Sequence, residues 1–519
     1  MASTPILLQW WQELFETIMI NPFLFPSLVF FFLFALKLFK GGRILKLPPS
    51  PPRLPIIGHL HLLGTLPHKS LCDLSKKYGP MLFLNLGRAP TLVVASAEIA
   101  KEILKTHDIT FSNRFQTRAA KSLLYGCRDL VFSSHDEHWR QMRKICLLQL
   151  LSLNRVQSFD SLREEEVAVM IEKMRGASLD GSAINLGELF VHISSSIISR
   201  CVLGRKYEGE DNMKRFGELS RSVLDRLGEF CFLDFFPSLG WMDVLTGFVK
   251  RLKDTSKELD AFLDEVIEEH RSFKGNDDRP DKNCFIQILF QLQKGGMLAM
   301  DITQDSLKAI LTDMFIAAIE TTSTTMEWAM TELMKNPTKM RKAQEEVRRV
   351  VRKKYVVDHD DIGQMDYLKC VVKETLRLHP PGPLLVPREL IESAKLGSYD
   401  IPPKTKVFIN VWAIQRDPKL WDRPEDFLPE RFNNNPIDFK GQDFQFIPFG
   451  AGRRGCPGIL FGVTNVEQVL ANVLYWFDWK LLGGACGKDL DMSEAYGLTV
   501  HKKIGLQLIP VLHSPEFLK

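Results

Sequence analysis

The sequence predicts a mainly α-helical fold with small β-sheets, built as one large domain behind an apolar N-terminal segment. Three observations carry this. Apolar and charged positions recur at helical spacing over long stretches, strand signals are few and short, and no Pro/Gly/Ser-rich linker divides the chain after its first sixty residues. At 519 residues, length alone would suit two or three domains, so the lack of a linker decides for one. An apolar fraction of 45% with 35 Phe suits a big core and an apolar cavity.

Residues 1–16 are expected to form a short lumenal tail. Thr17–Leu36 holds no charged residue, and thirteen of its twenty residues are Ile, Leu, Val or Phe. That is about the length that crosses a bilayer core. At roughly −0.3 to −0.6 kcal/mol each, these side chains contribute about 4–8 kcal/mol towards insertion, less what Asn21, Pro22, Pro26 and Ser27 subtract. The alternatives are a cleaved signal peptide or a buried core helix. No small-residue cleavage site follows the run, which argues for a retained anchor. Glu13 and Glu16 precede it, while Lys37, Lys40, Arg43 and Lys46 follow it. The positive-inside rule then puts the tail in the lumen and the rest in the cytosol.

Residues 37–58 read as a basic stop-transfer segment and a proline-rich hinge. Five prolines in Leu47–Gly58 fix φ and remove amide donors, so the piece cannot continue a helix or join a central strand. It is expected to be a semi-rigid spacer; a ligand for a proline-binding module is the alternative. Residues 59–519 form the expected main domain. Helical spacing marks Leu162–Met174, Val249–Ser272, Ser306–Lys335 and Lys339–Tyr355, and strand patterns mark Met81–Leu86, Thr91–Val94 and Val407–Val411. There is no internal repeat.

A net charge of +4 is too mild to imply a nucleic-acid partner. The nine cysteines are odd in number, scattered and free of C-x-x-C. That argues against zinc and against a disulfide framework, and places the bulk of the chain in a reducing compartment.

The most informative stretch is Phe449–Gly458, FGAGRRGCPG. Glycines at 450, 452, 455 and 458 permit turns closed to residues with a Cβ, so that backbone amides can point at the Cys456 sulfur. Arg453 and Arg454 add charge that favours the thiolate. A Gly-rich loop around a buried, inert cysteine is the ordinary alternative. Here F-x-x-G-x-R-x-C-x-G is complete, and it resembles the haem-ligand loop of the cytochrome P-450 family, the haem-thiolate monooxygenases. The resemblance implies the P-450 fold, haem b with the Cys456 thiolate on its iron, and Phe449 and Arg454 as further haem contacts.

Other motifs follow in the family's order. Trp139 and Arg143, in H-W-R-Q-M-R-K, share a helix face; their N–H groups suit a haem propionate, where a basic surface helix is the alternative. Arg388, in V-P-R-E, is by resemblance a second propionate ligand. Glu374 and Arg377, in E-T-L-R, would mean little as an exposed helical pair. With Arg431 of P-E-R-F, the resemblance makes them a buried ion network behind the haem. In Ala317–Thr322 the acid and alcohol of the family's oxygen-activating pattern are Glu320 and Thr321, the expected catalytic pair. Ala318 stands where the family usually has Gly, which narrows the space over the iron. By analogy, the pocket draws on Leu124, Phe315, Ala318, Leu384, Leu385 and Leu498, all apolar, and so takes a hydrophobic small molecule.

P-P-G-P-L-L-V-P-R-E, W-A-I-Q-R-D-P and G-L-T-V-H-K-K look most like the plant clan of specialised-metabolism oxygenases. The implied function is oxidation of a terpenoid, alkaloid, aldoxime or phenylpropanoid, with dioxygen and with electrons from NADPH through a flavoprotein reductase, cytochrome b5 being a further possible donor. The implied place is the endoplasmic reticulum membrane, single-pass, with a cytosolic catalytic domain. A haem-thiolate dehydratase or isomerase working without dioxygen, and a non-catalytic haem-binding membrane protein, are the competing readings. Both fit the retained Glu320–Thr321 pair less well.

Arg140, Lys144 and Arg453 are candidates for a basic reductase-docking face. Reversing the charges of Arg140 and Lys144 is expected to slow reductase association and flatten its salt dependence in stopped-flow measurements. Unchanged rates would remove both residues from that face.

Overall fold

Caps and glycines set where the helices begin and end. The computed structural model describes residues 45–204, 210–272, 284–294, 302–352, 354 and 357–513, together with Ser27 and Val29. Helix α1 (Pro67–Tyr78) opens with its proline in the first turn, where no amide partner is lost. Thr117 caps α2 (Arg118–Leu123) through the Ala120 amide at 3.0 Å, and Asp136 caps α3 (Glu137–Ile145) through the Trp139 amide at 2.9 Å. Helices α4 (Asp160–Asp180) and α5 (Leu186–Leu203) both end at a left-handed glycine, Gly181 and Gly204. Then come α6 (Glu210–Gly228), α7 (Phe248–Ser272) and α8 (Phe285–Lys294). Thr303 caps the 32-residue α9 (Gln304–Lys335), which is followed by α10 (Pro337–Val351), α11 (Asp366–Leu378) and α12 (Ile459–Trp476).

The strands are β1 (Met81–Leu86), β2 (Ala89–Val94), β3 (Asn113–Arg114), β4 (Ile184–Asn185), β5 (Arg388–Glu389), β6 (Lys406–Ile409), β7 (Phe477–Leu481), β8 (Glu494–Ala495), β9 (His501–Lys502) and β10 (Gln507–Leu512). One sheet has the order β1-β2-β6-β5-β3, with β2 and β6 parallel and the other pairs antiparallel. A second runs β4-β10-β7, and β8 pairs with β9. The expectation of a mainly α chain with small sheets therefore holds.

Helix α9 lies at the centre, packed on α5, α11 and α12. It is buried on all its faces from Ser306 to Ile316 and again from Thr322 to Leu333, as a core helix must be. Among the described residues, α5 is the one helix long and apolar enough to cross a membrane, but it is mostly buried against its neighbours and belongs to the core. The expected anchor, Thr17–Leu36, lies outside the described residues except for Ser27 and Val29.

Boundaries differ from the sequence reading where caps intervene. The strand expected at Val407–Val411 stops at Ile409, because the Asn410 side chain accepts the Ala413 amide at 3.0 Å and starts a short helix. The helix expected to run to Tyr355 ends at Val351, with Arg352 at φ 58°. The proline-rich hinge does not stand clear as a spacer. Its Pro49 carbonyl accepts the Phe83 amide at 2.9 Å, and the His59 amide donates to Asn85 O at 2.8 Å, so the segment lies along β1. An edge is the place in a sheet where prolines are tolerated.

Among the described residues, Leu45–Leu47 and Gly397–Asp400 belong to a unit separate from the rest. Within it Lys46 donates its amide to Asp400 at 3.3 Å and lies over the Tyr399 ring at 5.8 Å.

Gly58 has φ +62°, and a Cβ there would sit 2.1 Å from the Asn85 carbonyl oxygen. Gly58→Ala is expected to cost about 2 kcal/mol or more and lower the thermal midpoint. Gly176, within α4 and with open space around it, is the contrast: Gly176→Ala should raise stability by about 0.5–1 kcal/mol. Both are read by thermal denaturation.

Candidate active site

The cysteine loop is shaped by two left-handed glycines, Gly450 (φ 70°) and Gly452 (φ 69°). At Gly452 a Cβ would lie 2.3 Å from Leu104 O, so no side chain fits. The loop closes through Cys456 N to Phe449 O at 2.9 Å and Gly455 N to Gly452 O at 3.0 Å. Phe449 packs edge-on against Phe439, 5.4 Å between centroids. Cys456 precedes α12, whose first turn begins just after Gly458, so the helix dipole favours negative charge at the sulfur. The Gly458 amide donates to Sγ at 3.3 Å.

Cys456 is accessible at its surface, yet protein crowds it enough that burial raises its thiol pKa, with the Gly458 amide and the Arg143 charge pulling the other way. Accessibility and crowding together describe the wall of an interior cleft. Seven of the nine cysteines are simply buried. Burial pushes Cys127 and Cys231 up to about 12, where a thiol is inert. The remaining exposed thiol, Cys486, sits in a loop capped by Asp489.

Four arginines gather beside this loop. Arg143 donates to Gly455 O at 2.7 Å. Arg388 donates to Ala451 O at 3.0 Å and to Asp108 at 3.3 Å. Arg454 donates to Ser112 O at 2.8 Å, Ser133 O at 2.5 Å and Leu130 O at 3.4 Å. Arg114 donates to Val386 O, and its Nε has no partner among the described residues. Burial pulls all four down, and repulsion from neighbouring arginines adds to it at three: Arg388 falls to about 10 and Arg454 to about 9, with Arg114 also well below its usual value. At Arg143 the pull of Cys456 opposes burial. The carboxylates that act on these arginines are Asp108, Asp129 and Asp136. A desolvated cluster with more cations than carboxylates is a ready acceptor for a dianion, and two carboxylates on a flat cofactor fit it.

Several details depart from the sequence reading. The charge that favours the thiolate comes from Arg143, because Arg454 is committed to three carbonyls and Arg453 pairs with Asp108 at 3.3 Å. The Trp139 indole N–H, expected to meet a propionate, donates to Leu130 O at 3.0 Å. Trp139 instead offers its ring face, with Arg454 4.0 Å and Arg143 5.5 Å from its centroid. Arg114 was not read from the sequence; its sole signal is a cation set between Phe111 and Phe115 in a buried segment. Arg140 and Lys144 are both exposed, and Arg140 pairs with Glu137 at 3.5 Å.

Across the cleft, α9 opens. Ala317 is exposed, and Ala318, Glu320 and Thr321 are half-buried, in a helix buried on either side of them. Helix α12 brings the cysteine end of the chain to this point: a Cβ on Gly462 would meet Thr322 Cγ2 at 3.7 Å. The Thr321 hydroxyl donates to Ala317 O at 2.7 Å, one turn back. Burial pushes the Glu320 carboxyl up, against the pull of His501 and Arg221.

The pocket residues divide. Phe315 lines a small apolar cleft with Leu219, Val223, Leu259, Phe262 and Ile316. Leu385 lies beside the cysteine loop, its Cδ1 3.6 Å from the Cβ position of Gly450. Ala318 and Leu498 are half-buried against the main core, and Leu124 is fully within it. Leu384 falls in a separate cluster with Leu71, Leu82, Leu84, Leu86 and Val93, because the β1–β2 hairpin claims its side chain.

Glu374, Arg377 and Arg431 meet in one ion network. Arg377 binds Glu374 through two bonds of 2.8 and 2.9 Å, and Arg431 Nε reaches Glu374 at 2.9 Å. Glu374 and Arg377 are fully buried. Arg377 also donates to the carbonyls of Gln415, Pro424 and Asp426, and the Leu428 amide completes Glu374.

The family model described as cytochrome P450 matches residues 48–508. The chain is 50% identical over 99% of its length to phenylacetaldehyde oxime monooxygenase of Prunus mume, all of which is covered. It is 48% identical to desmethylyatein synthase of Sinopodophyllum hexandrum, covering 94% of this chain and 99% of that one. It is 43% identical to 5-epiaristolochene 1,3-dihydroxylase of Nicotiana tabacum, over 96% and 99%. A solved structure of a zebra fish cytochrome P450 with abiraterone superposes with a TM-score of 0.72 at 24% identity, covering 86% of this chain and all of that one, a likeness of fold.

Breaking the buried network by Glu374→Ala or Arg377→Ala leaves an uncompensated charge, at a cost of about 3–5 kcal/mol. Both variants are expected to lose haem incorporation rather than merely turn over slowly. Recovery of fully haem-loaded Arg377→Ala protein, judged by absorbance, would refute that role.

Proposed function

We propose a specific role for this chain, which belongs to the cytochrome P450 family: a monooxygenase anchored in the endoplasmic reticulum membrane by residues 17–36, oxidising a hydrophobic plant metabolite. The observation that carries this reading is the pairing of an accessible Cys456 sulfur with the opened stretch Ala317–Thr321 of an otherwise buried helix. Haem, when bound, supplies an iron that takes up electrons and activates dioxygen, with one oxygen atom going to substrate and the other to water.

The chain's own residues do the rest. Cys456 as thiolate would ligate the iron and make it more electron-rich. The Gly458 amide and Arg143 hold the sulfur's negative charge in place. Arg143, Arg388, Arg454 and Arg114 would hold the cofactor's carboxylates, and the apolar walls from Phe315 and Leu385 orient substrate and exclude water. Thr321, within reach of the cleft, turns its hydroxyl from Ala317 O to a bound water. Glu320, kept protonated further up the pH scale by burial, passes protons inward from the His501 and Arg221 side. Electrons come from NADPH through a membrane-bound flavoprotein reductase, with cytochrome b5 as a second donor.

The relative that is 50% identical is named for phenylacetaldehyde oxime, so arylacetaldoximes are the first substrates to test. Such a substrate also suits the dehydratase reading, and the requirement for NADPH, reductase and dioxygen separates the two. Under the monooxygenase reading, omitting any of these three stops product formation.

The reduced protein is expected to show a red-shifted Soret band with carbon monoxide. Thr321→Ala should keep that band and continue to consume NADPH, while product formation falls by about 100-fold. Coupled turnover at the wild-type rate in Thr321→Ala would remove Thr321 from proton delivery.

A further inference from the structure

The loop between α2 and α3 carries one residue, Leu130, whose backbone bridges the two sides of the site. Its amide donates to Asp313 Oδ2 on α9 at 2.6 Å. Its carbonyl oxygen, in the next peptide group, accepts from Trp139 Nε1 at 3.0 Å and Arg454 Nη1 at 3.4 Å. The next two amides, of Val131 and Phe132, donate to Asp129 Oδ2 at 2.9 and 2.7 Å. Three consecutive amides thus end on two carboxyl groups, Asp129 at 0% and Asp313 at 7% exposure. Asp129 Oδ1 is buried with no hydrogen-bond partner, and no cation forms an ion pair with either group among the described residues.

The surroundings do not favour two negative charges. Arg454 and Arg114 feel the charge of Asp129 but are bound to carbonyls elsewhere. Cys127 faces both carboxyl groups and Cys146 faces Asp313; burial raises both thiols, and the carboxyl charges raise them further. Burial pushes Asp129 up to about 6, and burial with the Asp129 charge pushes Asp313 well above the usual range. Two desolvated carboxyl groups at one site cannot both ionise near neutral pH. The unpartnered Asp129 Oδ1 is the acceptor that a retained proton needs.

We propose that Asp313 and Asp129 are positioning residues that share one proton, fix the two peptide groups on either side of Leu130, and through the Leu130 carbonyl set Arg454 and Trp139 relative to the Ala317–Thr321 stretch of α9. Asp313 lies one helical turn before Ala317, so the link is short. The part of the proposal that concerns Arg454 rests on reading the arginine cluster as the cofactor's carboxylate site. The shared proton does not.

The sign of the pH effect follows from linkage. The folded pair keeps a proton that the unfolded chain releases from about pH 4, so its contribution is lost as pH rises through the folded value. Asp313→Asn imitates the protonated member: it cannot ionise, and it still offers an oxygen to the Leu130 amide. Asp313→Ala cannot ionise and offers no oxygen.

The test uses the full-length, haem-loaded protein. In infrared spectra at neutral pH, the wild type is expected to show a protonated-carboxyl stretch that is lost in Asp313→Asn. Haem transfer to excess apomyoglobin should accelerate with rising pH in the wild type and stay flat in Asp313→Asn. It should run about tenfold faster at all pH values in Asp313→Ala, where the Leu130 amide is orphaned. No difference in the carboxyl stretch, or an Asp313→Asn pH profile like that of the wild type, overturns the shared proton. Wild-type transfer rates in Asp313→Ala overturn the positioning role. Asp129→Asn repeats the infrared test from the other member and keeps the proposal decidable if Asp313→Ala does not fold. A wild type lacking the red-shifted Soret band would sink the haem-thiolate reading while leaving the infrared result standing.

Discussion

Buried positive charge without matching negative charge is the constraint around which this molecule is organised. Arg114, Arg388 and Arg454 are nearly fully buried beside the cysteine loop and repel one another enough to lower each other's proton affinity. Desolvating one guanidinium is expensive, and desolvating several together is tolerated only with strong compensation. Carbonyl oxygens of Ser112, Leu130, Ser133, Val386 and Ala451 provide part of it. The remainder matches what an anionic cofactor brings, which is why the cluster and the bare thiol make sense as one site.

The Glu374 network solves the same problem in the opposite way. There one carboxylate faces two arginines, and every remaining donor is answered by a backbone carbonyl or amide. Nothing is left over for a ligand. The contrast separates a framework from a binding site by hydrogen-bond accounting: the saturated network holds α11 to the segment around Pro429–Phe432, while Arg114 in the other cluster keeps an Nε with no partner among the described residues.

Helix α9 connects these features. A helix buried nearly all round has few ways to admit substrate, and this one does so by small and polar residues at Ala317, Ala318, Glu320 and Thr321. Hydroxyls of Thr321, Thr322 and Thr325 bond back to carbonyls one turn earlier, which loosens the regular ladder at that point. Ala318 keeps a methyl group at the opening. One turn before it, Asp313 ties the same helix to the loop that carries Leu130.

What was legible in the sequence is local in the chain. The helical period of α9, the strand run of β1 and the i, i+3 spacing of Glu374 and Arg377 each follow from a few neighbouring residues; of the loop glycines, Gly450 and Gly452 take the left-handed torsions, while Gly455 and Gly458 do not. Arg431 was found because its motif is contiguous. What only the tertiary structure decided depends on residues far apart. Arg114 joined the cluster because β3 and β5 pair; Leu384 packed into the cluster under the β1–β2 hairpin; Trp139 gave its N–H to Leu130; the proline-rich segment lay down on β1; and Asp313 came under the charge of Asp129, 184 positions earlier in the chain. The physical reason is that torsional preference and helical period are properties of short segments. Desolvation and the competition for a single carbonyl oxygen are settled only once distant segments are packed together.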